Sequence, residues 1–166
     1  MKIIQAKESD IVEALFIIKS AFENKNLAQN YWRPPVPDYD KLKEELDHSF
    51  LYMIRKNHIS IGILAFTKEK PNSYNKIKWK SESGNELLIK RIAIAPNWLS
   101  DELKSNVKNF IDNYARENNF KSVRLNVYTT NQEMNTFYKD LGFESRSSLK
   151  EDDFENLFNY YEKVIE

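Results

Sequence analysis

In the stretch NQEMNTFYKDLGF, Asn131 to Phe143, an amide and a phenol share one short helical repeat. The Tyr138 phenol can donate a proton or a hydrogen bond to a group that gains negative charge. Asn131 stands at the start of the repeat, where asparagine commonly serves as a helix cap. Glu86 heads an apolar run and offers a carboxylate that can accept a proton. His48 and His58 can titrate near neutral pH. They fall at a helix end and in a hairpin turn, far apart, and give no metal-ligand pattern. The segment YWRPPVPDY gathers Tyr31, Trp32, Arg33 and Tyr39 around rigid prolines, and Arg33 can pair a carboxylate.

The elements that must hold these residues can be read from local patterns. KIIQA is a short strand. Asp10 and Glu13 suggest a capping box for a helix whose face carries Ile11, Leu15, Ile18 and Phe22. The three prolines between Tyr31 and Asp40 prevent regular structure there. A second helix is predicted from about Asp38 to His48. FLYMIRKNHISIGILAFTKE reads as a hairpin turning at Lys56, Asn57 and His58. Lys68 to Gly84 reads as a long polar loop.

ELLIKRIAIAP is predicted as a central strand buried on both faces. By period two, Glu86 shares a face with Leu88, Lys90, Ile92 and Ile94. Ser100 can cap a helix with the stripe Leu103, Val107, Phe110, Ile111 and Tyr114. KSVRLNVYT is another strand. Thr130 with Glu133 suggests a capping box for the Asn131 helix. Gly142 suits the left-handed residue that ends it. A strand from Phe143 to Ser147, a loop from Lys150 to Glu155 and the strand LFNYYEKVI complete the chain. The order is β-α-α-β-β-β-α-β-α-β-β, a mixed α/β class with one central twisted sheet flanked by helices.

The 166 residues fit a single domain and can bury a full core. Lys+Arg and Asp+Glu number 25 each, so no net field favours nucleic acid or an anionic membrane. No cysteine is present, which excludes a disulfide, a thiolate metal site and a cysteine nucleophile. No apolar run is long enough to span a bilayer, and the cytoplasm is the expected location.

The pattern Asn131, Phe137-Tyr138, Gly142-Phe143, together with the element order, resembles the GNAT superfamily of N-acetyltransferases. The resemblance covers nearly the whole chain and is most specific from Glu86 to Phe143. It implies a GNAT-like fold and acetyl-CoA as cosubstrate, with no metal. It implies that Asn131 holds the pantetheine arm and that Tyr138 protonates the departing thiolate. It implies main-chain donors near Ile92 and Ile94 beside the thioester, with Pro96 opening a gap for the cosubstrate. Glu86 becomes a candidate base for the amine. Tyr31, Trp32, Arg33 and Tyr39 become candidates for the acceptor wall. The acceptor would be a small amine or a peptide, attacking directly in a ternary complex. The family's strand-sharing dimers leave a homodimer open.

The resemblance fails at one place. The family's phosphate loop carries two glycines at the start of the helix after the central strand. Here PNWLSDELKSN has none, and Asp101 and Glu102 occupy the first turn. Carboxylates there favour the helix dipole but repel a pyrophosphate seeking the same amides, which would fall near Leu103 and Lys104. Lys104 and Lys108 can offset that charge if they fold back. Two readings follow from the sequence: an acetyltransferase with an altered phosphate loop, or a GNAT-like module that no longer binds acetyl-CoA.

Overall fold

The computed structural model describes residues 1–23, 37–48, 50–150 and 157–166. Tyr31, Trp32 and Arg33 lie outside the described residues, as does most of the predicted loop after Lys150. The strands are β1 (Lys2–Gln5), β2 (Leu51–Lys56), β3 (Ile59–Thr67), β4 (Glu86–Ile94), β5 (Ser122–Tyr128), β6 (Glu144–Lys150) and β7 (Leu157–Val164). The helices are α1 (Ile11–Glu23), α2 (Tyr39–Asp47), α3 (Asp101–Glu117) and α4 (Gln132–Asp140). The element order is the one predicted from sequence.

One seven-stranded sheet runs β1-β2-β3-β4-β5-β7-β6. Only β4 and β5 pair in parallel; every other neighbouring pair is antiparallel. Apolar side chains of alternating strand residues feed cores on both faces. On one face Ile92, Ile94, Leu125 and Val127 pack with Leu103, Val107 and Ile111 of α3 and Met134, Phe137 and Tyr138 of α4. On the other, Met53, Ile63, Ala65 and Ala93 pack under α1 and Leu42 of α2.

Local chemistry explains where most elements start. Asp38 caps α2 by accepting from the Lys41 N–H at 2.9 Å. The β2–β3 turn places Asn57 at φ 49° and His58 at φ 69°, the left-handed pair that a two-residue hairpin requires. Gly142 stands at φ 89° after α4, as its sequence position suggests.

Three local expectations are corrected. Helical turns begin at Glu8, before α1, and Asp10 accepts from the Lys7 N–H at 2.8 Å instead of capping forward with Glu13. Glu13 accepts from the Ser60 hydroxyl at 2.7 Å. The buried face of α1 is Ile11, Ala14, Ile17, Ile18 and Ala21, with Leu15 partly buried against the same core and Phe22 half-buried. Asn131, not Thr130, caps α4: its Oδ1 accepts from the Met134 N–H at 3.2 Å. The stretch after β3 is less loose than its polarity suggests. It forms a 3-10 turn over Asn72–Lys76 and buries Tyr74 and Ile77 against Leu88, Tyr128, Phe158 and Tyr160.

Candidate acyl-transfer site

The site is shaped by the way β4 leaves β5. Their parallel register covers only Glu86 to Leu88 opposite Ser122 to Arg124, although both strands continue. Beyond that point the strands splay. The departure coincides with a bulge in β4: Ile89 pairs Phe66 and Arg91 pairs Ala65, leaving Lys90 as the extra residue. A bulge bends its strand and increases local twist. Glu45 of α2 pins it, accepting from Arg91 Nη2 at 2.6 Å and facing Lys90 Nζ at 3.0 Å. The opening thus begins at Leu88 and Lys90, well before Pro96, where the resemblance implies it.

The bulge also changes which side chains share a face. Leu87 and Ile89 lie on the α3–α4 face, and so do Ile92 and Ile94; Leu88 lies on the opposite face. One inserted residue reverses the alternation. Glu86 therefore does not share a face with Ile92 and Ile94. It also stands six residues away, about 20 Å along an extended strand.

Main-chain direction follows from the same alternation. The Ala95 N–H donates to Ile61 O of β3 at 2.8 Å. Ala93 then faces β3 as well, and the N–H groups of Ile92 and Ile94 point toward the side where β5 has separated. Their side chains are completely buried.

Tyr138 is completely buried against this region. Its ring meets Phe137 and Phe143 edge-on, at 5.5 and 5.6 Å between centroids, and lies 6.4 Å from Tyr161. Burial pushes its phenol well above the usual tyrosine range, and the nearby Tyr74 phenol adds to the rise. Tyr138 packs in the α3–α4 core, whereas Tyr74 packs with Leu88 on the opposite face of the sheet. A phenol in this state stays protonated at neutral pH and remains a donor.

On the Tyr74 face the opening widens into a cavity of about 370 Å³, with Leu88, Ile89 and Lys90 of β4 and Asn126 of β5 among its lining. Thr67, Glu69, Lys70, Pro71 and Tyr74 complete the wall. Sequence reasoning missed this wall, because its residues come from a polar stretch that carries no periodic signal.

Glu86 sits at the opposite, closed end of the strand pair. It accepts from the Gly84 N–H at 2.6 Å and lies 3.3 Å from both Lys70 Nζ and Arg124 Nη1. Burial acts to raise its pKa, but these donors and cations outweigh it and hold the carboxyl below its usual range. A carboxylate stabilised in this way is a weak base. Tyr39 is half-exposed at the head of α2, where its hydroxyl donates to Glu8 at 3.2 Å. It is not part of the cavity wall.

The start of α3 is closed by its own cap. Ser100 accepts from the Leu103 N–H through its hydroxyl at 3.2 Å and from the Lys104 N–H through its carbonyl at 3.0 Å. The two amides proposed for phosphate contact are thus already engaged, and only the Leu103 amide is released by a side-chain rotation. The Lys104 ammonium reaches Asp140 of α4 at 2.8 Å and Asp101 at 3.6 Å. Lys108 pairs Asp112 at 3.3 Å and does not fold over the helix start. Glu102 is drawn to Lys56 of β2, whose hydrogen bond lowers its pKa. Asp101 remains fully exposed.

No protein-family model and no curated protein matches the sequence. Solved structures do. A GNAT-family acetyltransferase from Streptococcus agalactiae superposes with a TM-score of 0.80 at 15% identity, covering 99% of this chain and 95% of that one. A ribosomal-protein-alanine N-acetyltransferase from Brucella melitensis gives 0.73 at 15%, covering 99% and 100%. The protein yncA from Salmonella typhimurium, solved with acetyl-CoA as its cofactor, gives 0.74 at 11%, covering 100% and 94%. No helix among the described residues is long and apolar enough to cross a membrane. The splayed β4–β5 pair, the helices on both faces and these superpositions show that the chain has the GNAT acetyltransferase fold.

Proposed function

We propose that this protein is an N-acetyltransferase that moves an acetyl group from acetyl-CoA to an amine by direct attack in a ternary complex. The observation that carries this reading is the splay itself. It turns the Ile92 and Ile94 N–H groups toward an open edge, beside a buried protonated phenol and a cavity on the far face.

Acetyl-CoA supplies the acetyl group as a thioester. The acyl end fits the residues present: two main-chain donors on one edge and Tyr138 packed against them. The N–H groups of Ile92 and Ile94 stabilise the carbonyl oxygen as it gains charge. Tyr138 gives its proton or a hydrogen bond to the sulfur as the carbon–sulfur bond breaks. The acceptor amine enters from the Tyr74 side, between Lys70 and Lys90. Glu69 is the carboxylate on that wall and so the candidate to take the amine proton, whereas Glu86 lies at the closed end of the strand pair. Asn131 caps α4 and, in this reading, also holds the pantetheine arm at the head of the helix that carries Tyr138. A small amine or a peptide N-terminus is the acceptor class, and we place the activity in one domain that acts in the cytoplasm.

The phosphate end favours a second reading. The glycine-free, serine-capped start of α3 and the exposed Asp101 suit a GNAT-like module that does not hold acetyl-CoA. Calorimetric titration with acetyl-CoA separates the two. Saturable binding in the micromolar range, followed by acetylation in an amine screen, is the expected outcome. No binding up to millimolar acetyl-CoA overturns the enzyme reading.

A further inference from the structure

We propose that Asn135 is a positioning residue for acyl transfer, fixing the first turn of α4 and the aromatic wall behind Tyr138. This inference rests on the acetyltransferase reading above. Asn135 is buried, 7% exposed, on a helix whose neighbouring turns carry Asn131 and Tyr138. Its amide uses every hydrogen-bonding position that an asparagine has. Its Nδ2 donates to Tyr128 O at 2.8 Å and to Asn131 O at 2.7 Å. Its Oδ1 accepts from Tyr161 Oη at 2.8 Å and from Asn159 Nδ2 at 2.8 Å. Ser148 of β6 extends the chain by donating to Asn159 Oδ1 at 2.6 Å.

The partners define the role. Tyr128 is the last residue of β5, the strand that forms one side of the splay. Asn131 is the cap of α4. Tyr161 belongs to β7, and its ring packs 6.4 Å from that of Tyr138. Burial raises the Tyr161 phenol above its usual range, against a smaller lowering by Asn159, so the hydroxyl remains a donor. One side chain therefore ties the end of β5, the start of α4 and the wall behind Tyr138. An apolar residue fills the same volume on a helix face without setting these directions. Four satisfied bonds at one buried amide specify geometry, because any shift leaves a buried polar group without its partner.

The test compares the parent with Asn135→Asp and Tyr161→Phe. In Asn135→Asp the charged form faces two carbonyl oxygens and loses both donors. We expect kcat to fall about 10- to 100-fold while the KM of the acceptor changes by about twofold or less, as for a misplaced catalytic group. Burial and the two carbonyls act to raise the new carboxyl's pKa, against the lowering by the Tyr161 and Asn159 donors at its other oxygen, and protonation restores one donor. The variant-to-parent kcat ratio should then rise as pH falls from about 8 to about 6. Tyr161→Phe removes one hydroxyl and should lower kcat by roughly threefold to tenfold with the same KM pattern. It carries the test alone if Asn135→Asp does not fold. A pH-independent ratio, or equal losses in kcat and in acceptor affinity, overturns the positioning role. Parent turnover with unchanged kcat in Tyr161→Phe and in folded Asn135→Asp overturns it too. Absence of turnover in the parent overturns the acetyltransferase reading and this inference with it.

Discussion

The two ends of the β4–β5 pair solve opposite problems. At the closed end Arg124 is completely buried and surrounded. Its Nε lies 3.1 Å from Glu162, Nη1 3.3 Å from Glu86, Nη2 2.9 Å from Ser81 O, and the guanidinium stacks 4.4 Å from the Trp79 ring centre. Glu162 also accepts from the Lys80 N–H and the Ser81 hydroxyl, both at 2.6 Å. At the open end the strands part, and main-chain donors face the gap. Paired ionic groups lock one end so that the other can separate without loss of register. Charge alone does not mark a catalytic centre. The charge cluster around Arg124 is a clamp, and the proposed chemistry rests instead on main-chain groups and a phenol.

The comparison can be broken most severely at the clamp. Arg124→Ala leaves Glu162 and Glu86 buried without their cation and should cost roughly 3–5 kcal/mol of stability, read by chemical denaturation. The same clamp sets an acid limit. Burial acts to raise the Glu162 pKa, but the bonds from Ser81 and Lys80 and the Arg124 charge outweigh it, and the net shift is downward. A carboxyl depressed on folding contributes stability above its unfolded pKa, near 4.5, and loses it as pH falls through the lower folded value. Glu162→Gln should therefore flatten the acid limb of a stability–pH profile. An unchanged limb would remove the clamp from the account.

At the open end, Tyr138→Phe should lower kcat by about 100-fold with little change in stability or in acetyl-CoA affinity. Unchanged turnover would sink the proton-donor assignment. The smallest effect is expected at the start of α3. Replacing Asp101 and Glu102 by glycine removes two carboxylates near the phosphates and should tighten acetyl-CoA binding by about 1 kcal/mol, or about fivefold. Lys56 already draws Glu102 aside, so most of the gain should come from Asp101→Gly alone. Equal affinity in both variants and the parent would show that these carboxylates lie away from the bound phosphates.

The sequence by itself determined the element order and the ends of most elements. Those depend on interactions a few residues long: Ser100 capping α3, Asp38 capping α2, the Asn57-His58 turn and Gly142 after α4. It also singled out Tyr138 and Asn131, because their helix is continuous in the chain. Tertiary structure decided the rest. The bulge at Lys90 depends on how β3 and β4 register, and it reversed the face expected for Glu86. The ties of Glu86 to Lys70 and Arg124, of Lys104 to Asp140, and of Asn135 to Asn159 and Tyr161 join residues distant in sequence. Local periodicity carries no information about such pairs, since it is packing of the sheet that brings them within hydrogen-bond reach. The splay itself arises the same way, where a clamped end and a bulged strand meet.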